Sequence, residues 1–220
     1  MKKSKAVLVI VVIAVLVALG FLIAIIHDKL TEELKYNKSQ DLVAVTVEGE
    51  DLTLRDLAFY VAYEEKEVQE QALIYDSENP SRYWNIHTNG EFIRVAARDA
   101  AVDMMIHDYV YSLEATQQGY SLTDEEESLC SSTASDFWSD LDSDQQAALG
   151  ISEETVYDTC MDIGLTDKYL ADLSNESGRD LALYETGGKL WDEKRDGMDI
   201  VYNDQVLDRI EMGNITVNMD

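Results

Sequence analysis

The sequence predicts a mainly α-helical protein: a single transmembrane helix followed by an α-helical ectodomain, with a small β-sheet formed by strands from both ends of that domain. Three observations predict it. Residues 6–26 (AVLVIVVIAVLVALGFLIAII) carry no charge. Proline occurs once, at Pro80, and apolar residues beyond residue 53 recur at helical spacing. Short β-branched runs stand near both ends of the remaining chain, VAVTV at 43–47 and MDIVY and NITVN near the end.

At ~1.5 Å per residue, a helix over 6–26 reaches ~31 Å, about the thickness of a bilayer's hydrocarbon core. Lys2, Lys3 and Lys5 precede it and His27-Asp28 close it. The positive flank stays inside. Residues 1–5 are therefore expected as a cytoplasmic basic tail, and everything beyond Asp28 as extracytoplasmic, on a single-pass protein of the cell membrane. A cleaved signal peptide would have an apolar region of ~7–15 residues ending at a small-x-small site. Ala18-Leu19-Gly20 is a weak match, and the apolar run continues through it to Ile26.

All 44 acidic residues lie beyond this run, so the ectodomain is more negative than the −27 of the whole chain. Such a field repels nucleic acid and anionic membrane surfaces. It sits naturally on a soluble acidic surface and does not by itself imply a basic partner.

Residues 27–41 are polar and read as a juxtamembrane stalk, and 42–220 as one helical domain. After the strand at 43–47 comes a turn at 48–51. Thr53-Leu-Arg-Asp56 is a capping-box pattern with Asp in place of Glu or Gln. A helix over 54–75 follows, with Leu57, Val61, Val68, Ala72 and Tyr75 on one face. Residues 76–90 read as a loop. A second helix spans 91–118, and Gly119 stops it. Thr123 caps a third, whose stripe is Leu129, Cys130, Thr133, Ala134, Phe137, Trp138 and Leu141. A turn over 143–149 leads to a fourth helix capped by Ser152, with Val156, Cys160, Ile163 and Leu170 inward. Another helical stretch, 179–195, is broken at Gly187-Gly188. A strand at 198–202, a short helix 204–210 capped by Asn203, and strand character at 214–218 complete the chain.

Signatures of catalysis are weak. His87 and His107 form no HExxH and stand beside no nucleophile motif; a structural role is expected for both. Asp140-x-Asp142-x-Asp144 suggests a calcium loop, but positions 6 and 12 hold Gln145 and Ile151 instead of Gly and Glu. A solvated acidic turn, with Ser143 as a helix cap, is the simpler reading. No Gly-rich phosphate loop, basic patch or metal spacing occurs, so no cofactor, no metal and no nucleic acid is expected.

Cys130 and Cys160 match no metal-site spacing. They lie on the apolar stripes of successive helices, near one level if those helices form a hairpin. A disulfide and two buried free thiols both remain open. The aromatics are the remaining hint. Tyr60, Tyr63, Tyr83, Trp84, Tyr109 and Tyr111 cannot all face inward. The first five are candidate residues of a shallow cleft that binds extended polypeptide, although core packing is the simpler role for any single one.

The order of elements resembles the SurA/PrsA-type extracytoplasmic foldases. A strand ending in Val-Glu-Gly-Glu, then Thr-Leu-Arg-Asp-Leu57 opening a helix, looks like their start. Gly119-Tyr-Ser-Leu-Thr-Asp-Glu-Glu126 and Ala148-Leu-Gly-Ile-Ser-Glu-Glu154 are similar to their later helix starts. Lys189-Leu-Trp-Asp-Glu-Lys194, then Asp199 to Ile210, is similar to their closing helix and strand. The likeness covers most of 42–212 through short motifs whose order carries it. Enzymatic members insert a parvulin-type prolyl isomerase before the closing helix; here only about 175–188 stands there. The resemblance therefore implies the chaperone-like module alone, binding unfolded or exported polypeptides without catalysis. The alternative is a structural or adaptor ectodomain with one specific envelope partner.

Overall fold

Val43–Val47 (β1) and Glu50–Thr53 (β2) form an antiparallel hairpin. The chain reverses at Glu48 and Gly49, both with positive φ (51° and 89°), the geometry of a two-residue type I′ turn. The computed structural model describes residues 19–21 and 34–218. Ile200–Tyr202 (β5) adds to the other edge of β1 with Val45 opposite Tyr202 and Val47 opposite Ile200, giving the order β2-β1-β5. The strands from the two ends of the domain thus meet in one sheet. Asp199 and Glu48 extend the pairing through a 2.8 Å backbone bond.

Leu54–Tyr75 (α1) starts where the capping box predicts. The Asp56 carboxylate accepts from the Thr53 N–H and hydroxyl, both at 2.7 Å. The loop expected at 76–90 contains a 3-10 turn, Pro80–Asn85, and a small hairpin, His87–Thr88 (β3) with Glu91–Phe92 (β4), across Asn89-Gly90. Ile93–Gln117 (α2) follows and packs on α1. Asp124–Asp140 (α3) is capped by Thr123, with Glu126 reaching back to the Thr123 N–H at 2.7 Å.

The expected turn at 143–149 is instead a helix, Ser143–Leu149 (α4). Its cap is Asp142 rather than Ser143: the Asp142 carboxylate accepts from the N–H groups of Asp144 and Gln145 at 2.9 Å. Ser152 caps Glu153–Ser177 (α5), which packs on both α2 and α3. The broken stretch 179–195 resolves into a 3-10 turn, Leu181–Leu183, and Lys189–Arg195 (α6). Trp191 of α6 is buried, and its indole donates to Asp103 of α2 at 3.1 Å. After β5, Asp204–Leu207 (α7) is shorter than expected. Asn203 does not cap it by its side chain, which donates to the Val43 carbonyl at 2.8 Å and ties α7 to β1.

Residues 214–218 form no strand. The N–H groups of Ile215 and Thr216, with that of Gly213 before them, are taken by Glu65, a fully buried carboxylate on α1. It accepts from Gly213 N (2.6 Å), Ile215 N (3.1 Å), Thr216 N (2.5 Å) and the Thr216 hydroxyl (2.6 Å). Donors committed to a side chain cannot serve a β-ladder.

Of the expected stalk, residues 34–41 are packed on the body. Leu34 and Tyr36 are buried, Leu34 N–H reaches Arg209 O at 3.1 Å, the Tyr36 hydroxyl donates to Leu54 O at 2.6 Å, and Asn37 donates to Ala147 O at 2.9 Å. No helix among the described residues is long and apolar enough to cross a membrane. The apolar run 6–26, expected as the anchor, lies outside the described residues except for 19–21.

Candidate functional site

Four long helices and the link before α6 enclose an open cleft of about 880 Å³, in the upper part of the ~300–1,000 Å³ range of ligand pockets. From α1 come Phe59, Tyr60 and Tyr63; from α2, Met104, His107 and Asp108. Leu129, Cys130 and Thr133 line it from α3, and Cys160, Ile163, Gly164, Asp167 and Asp172 from α5. Glu185 and Thr186 close one end.

α3 packs on α5, and of its seventeen residues only Ala134 is buried. Near its C-terminal end it also touches α1, through Phe137 on Phe59 and Asp140 on Lys66. The α3–α5 seam is tight at one point: a side chain at Gly164 would collide with the Cys130 sulfur. Beyond it Ala134 is buried and Phe137, Trp138 and Leu141 pack against the core, but Leu129 and Thr133 of the stripe stay exposed. Leu129 is 69% exposed and, on the facing helix α1, Tyr63 is 42% exposed. Phe59 supports this aromatic wall, stacked on Tyr63 at 6.4 Å and tilted against Phe137 at 4.5 Å.

One wall carries a buried polar chain. The Tyr60 hydroxyl donates to Asp108 Oδ2 at 3.0 Å, and His107 Nδ1 lies 2.8 Å from Asp108 Oδ1. His107 Nε2 lies 3.0 Å from the Tyr184 carbonyl. A ring with an acceptor at each nitrogen favours the doubly protonated form, in which both nitrogens donate. Burial opposes that charge, but the Asp108 hydrogen bond and charge and the Tyr184 carbonyl outweigh it, raising the His107 pKa. His107 thus offers neither nitrogen to a substrate.

A second pair stands at the rim. Lys168 reaches Glu126 at 2.7 Å and the Ser121 carbonyl at 2.9 Å. That lysine, helped by the Thr123 N–H, lowers Glu126 to about 2. The thiols are held protonated: burial pushes Cys160 up to about 11 and raises Cys130 as well. Raised thiols are poor nucleophiles. Both cysteines are free and both line the cleft.

Of the five aromatics expected to bind polypeptide, the cleft gathers Tyr60 and Tyr63. Tyr60 is buried and engaged with Asp108; Tyr63 is exposed. The other three lie elsewhere. Trp84 is buried, donates to Gln69 at 2.9 Å, and packs so closely on Gly213 that a Cβ there would fall 2.5 Å from the ring. Tyr83 bonds Gln71 at 3.2 Å and packs on Tyr75. Tyr109 is half-buried, with Glu50 close enough to raise its phenol further after burial. Tyr111, named with them, sits buried between His107 and Trp191.

No family model, no curated protein and no solved structure matches this chain.

The residues that sequence reasoning missed are Phe59, Leu129, Ile163 and the carboxylates of α5 and the link. A signal for Leu129 was present. A helix whose apolar stripe includes Cys, Thr and Ala offers a thin face that one neighbour satisfies only in part. For Asp167, Asp172 and Glu185 there was none, since these acidic residues are indistinguishable in sequence from those on the outer surface. Among the described residues no group of three metal-ligating side chains comes together.

Proposed function

We propose that this chain is a chaperone-like polypeptide-binding module, a non-catalytic protein of the SurA N-terminal type, carried on a membrane anchor at residues 6–26. The observation that carries the reading is the open cleft that Leu129 and Tyr63 both line with their side chains exposed. Exposed apolar side chains on two facing helices bind extended segments through apolar contact, with little demand on sequence. The polar groups around them support binding rather than turnover. The imidazole of His107 is committed on both sides, and the thiols are held protonated.

The test uses the purified full chain in neutral detergent with a chemically unfolded client. Light scattering should show slower aggregation at near-equimolar protein, and Leu129→Ser with Tyr63→Ser should abolish the effect without changing the far-UV spectrum. A proline-limited refolding phase, on the order of tens to hundreds of seconds at 25 °C, should keep its rate. Acceleration of that phase at catalytic protein concentration refutes the non-enzymatic part. Absence of any effect on aggregation, together with capture of one stoichiometric envelope protein, refutes the chaperone reading in favour of the adaptor.

A further inference from the structure

The cleft's charges are not balanced. Its two cations are already engaged, His107 with Asp108 and Lys168 with Glu126. Three further carboxylates line it, Asp167 and Asp172 on α5 and Glu185 on the link, and none of them makes an ion pair among the described residues. Burial, then Asp108 and Glu185, already raises the Asp167 pKa; nearby His107 only partly offsets this. An occupant that covered these groups without compensating them would pay their desolvation. An acidic occupant would add repulsion. A cation placed among them gains on both counts.

We propose that the cleft selects basic, apolar segments: an extended polypeptide stretch whose aliphatic or aromatic side chains cover Leu129 and Tyr63 while its lysine or arginine side chains meet the carboxylates that line the cleft, Asp167, Asp172 and Glu185. This rests on the polypeptide-binding reading above and adds the class of segment. The three carboxylates come from two elements, α5 and the link ahead of α6, and Glu185 lies close enough to Asp167 to raise its pKa. The whole protein is acidic, so a basic peptide is drawn weakly to its entire surface; the cleft is distinguished by combining that charge with uncovered apolar side chains.

The experiment measures fluorescence anisotropy of three labelled peptides on the full chain in neutral detergent. The peptides share one apolar pattern and carry lysine, glutamine or glutamate at the same positions. The lysine peptide should bind about tenfold tighter than the glutamine peptide at low salt, the sum of a few partly exposed charge contacts. The combined variant Asp167→Asn, Asp172→Asn, Glu185→Gln should reduce that preference to under twofold, with the lysine peptide losing the most affinity. A control, Glu67→Gln, Glu78→Gln, Glu91→Gln, removes the same charge elsewhere and should keep the preference. Should the triple cleft variant lose its fold by circular dichroism, the single Asp172→Asn, at an exposed position, should still lower the preference two- to threefold. Equal binding of the lysine and glutamine peptides overturns the charge selectivity alone, as does equal loss in the control variant. Failure of all three peptides to bind, or binding indifferent to Leu129→Ser, overturns the underlying polypeptide-binding reading instead.

Discussion

Replacing Glu65 by alanine should be the most damaging single change on α1. Its carboxylate is fully buried and accepts four hydrogen bonds from the segment 213–216, three of them from backbone N–H groups. Alanine leaves those three donors without partners in a site closed to water. Each orphaned group costs ~1–3 kcal/mol, and breaking a buried charged network by removing one partner costs ~3–5 kcal/mol. Outward relaxation of the tail holds the total near the lower sum, so the expected loss is ~3–5 kcal/mol, a large share of a typical ~5–15 kcal/mol. Glutamine should cost less, because it keeps one acceptor but turns an amide donor toward another donor.

The pH dependence gives an independent check. Burial first of all raises the Glu65 pKa, against the lowering effect of its four donors. The folded state therefore keeps its proton to higher pH than the unfolded chain. The stability so gained is fully present below about 4.5 and is lost as pH rises through the folded value. Urea titrations followed by tryptophan fluorescence, on parent and Glu65→Gln at pH 4.5 to 7, should show a shallower loss of stability with rising pH in the variant. Taking the difference between the two proteins cancels the other titrating groups. An alanine variant within 1 kcal/mol of the parent would refute the clamp.

Three further outcomes are expected. Gly164→Ala should destabilise by ~1–3 kcal/mol through overpacking against the Cys130 sulfur, and Cys130→Ala should restore most of the loss in the double variant, read by thermal melting. His107, with its pKa raised, contributes stability that is present below about 6.5 and lost as pH climbs through its folded value; His107→Gln should flatten that slope in urea titrations between pH 6 and 9. Deleting residues 198–220 removes β5 and the donors that face Glu65, so cooperative unfolding should disappear from calorimetry.

The helices were legible where their signals are local. The Thr53–Asp56 and Thr123–Glu126 boxes placed two helix starts to the residue, and apolar spacing carried α1 and α2 to within two residues of their ends and marked the stripes of α3 and α5. Two features carried a readable signal that loop composition masked. Asn89-Gly90 is a favoured hairpin turn, and Asp142 with Gln145 is a capping box. The 214–218 segment misled because alternation in sequence says nothing about who takes the N–H groups. The signal sat elsewhere, in an acidic residue at position 65, in helical register with Val61, Val68 and Ala72. The cleft was only partly legible: Tyr60 and Tyr63 were named, but its carboxylates and the exposure of Leu129 are set by which helices fail to touch.

The sheet order has a consequence for biosynthesis. A chain made from its N-terminus presents β1 and β2 early, yet the outer neighbour of β1 is β5, and the partners of Glu65 lie about 148 residues downstream. At ~5–20 residues per second, that interval is roughly 7–30 s of translation. Throughout it the nascent chain carries an open strand edge and an acid with nothing to accept from. The domain therefore cannot close piecemeal behind the ribosome. It must wait, protected or at risk, for β5 and the donors at 213–216.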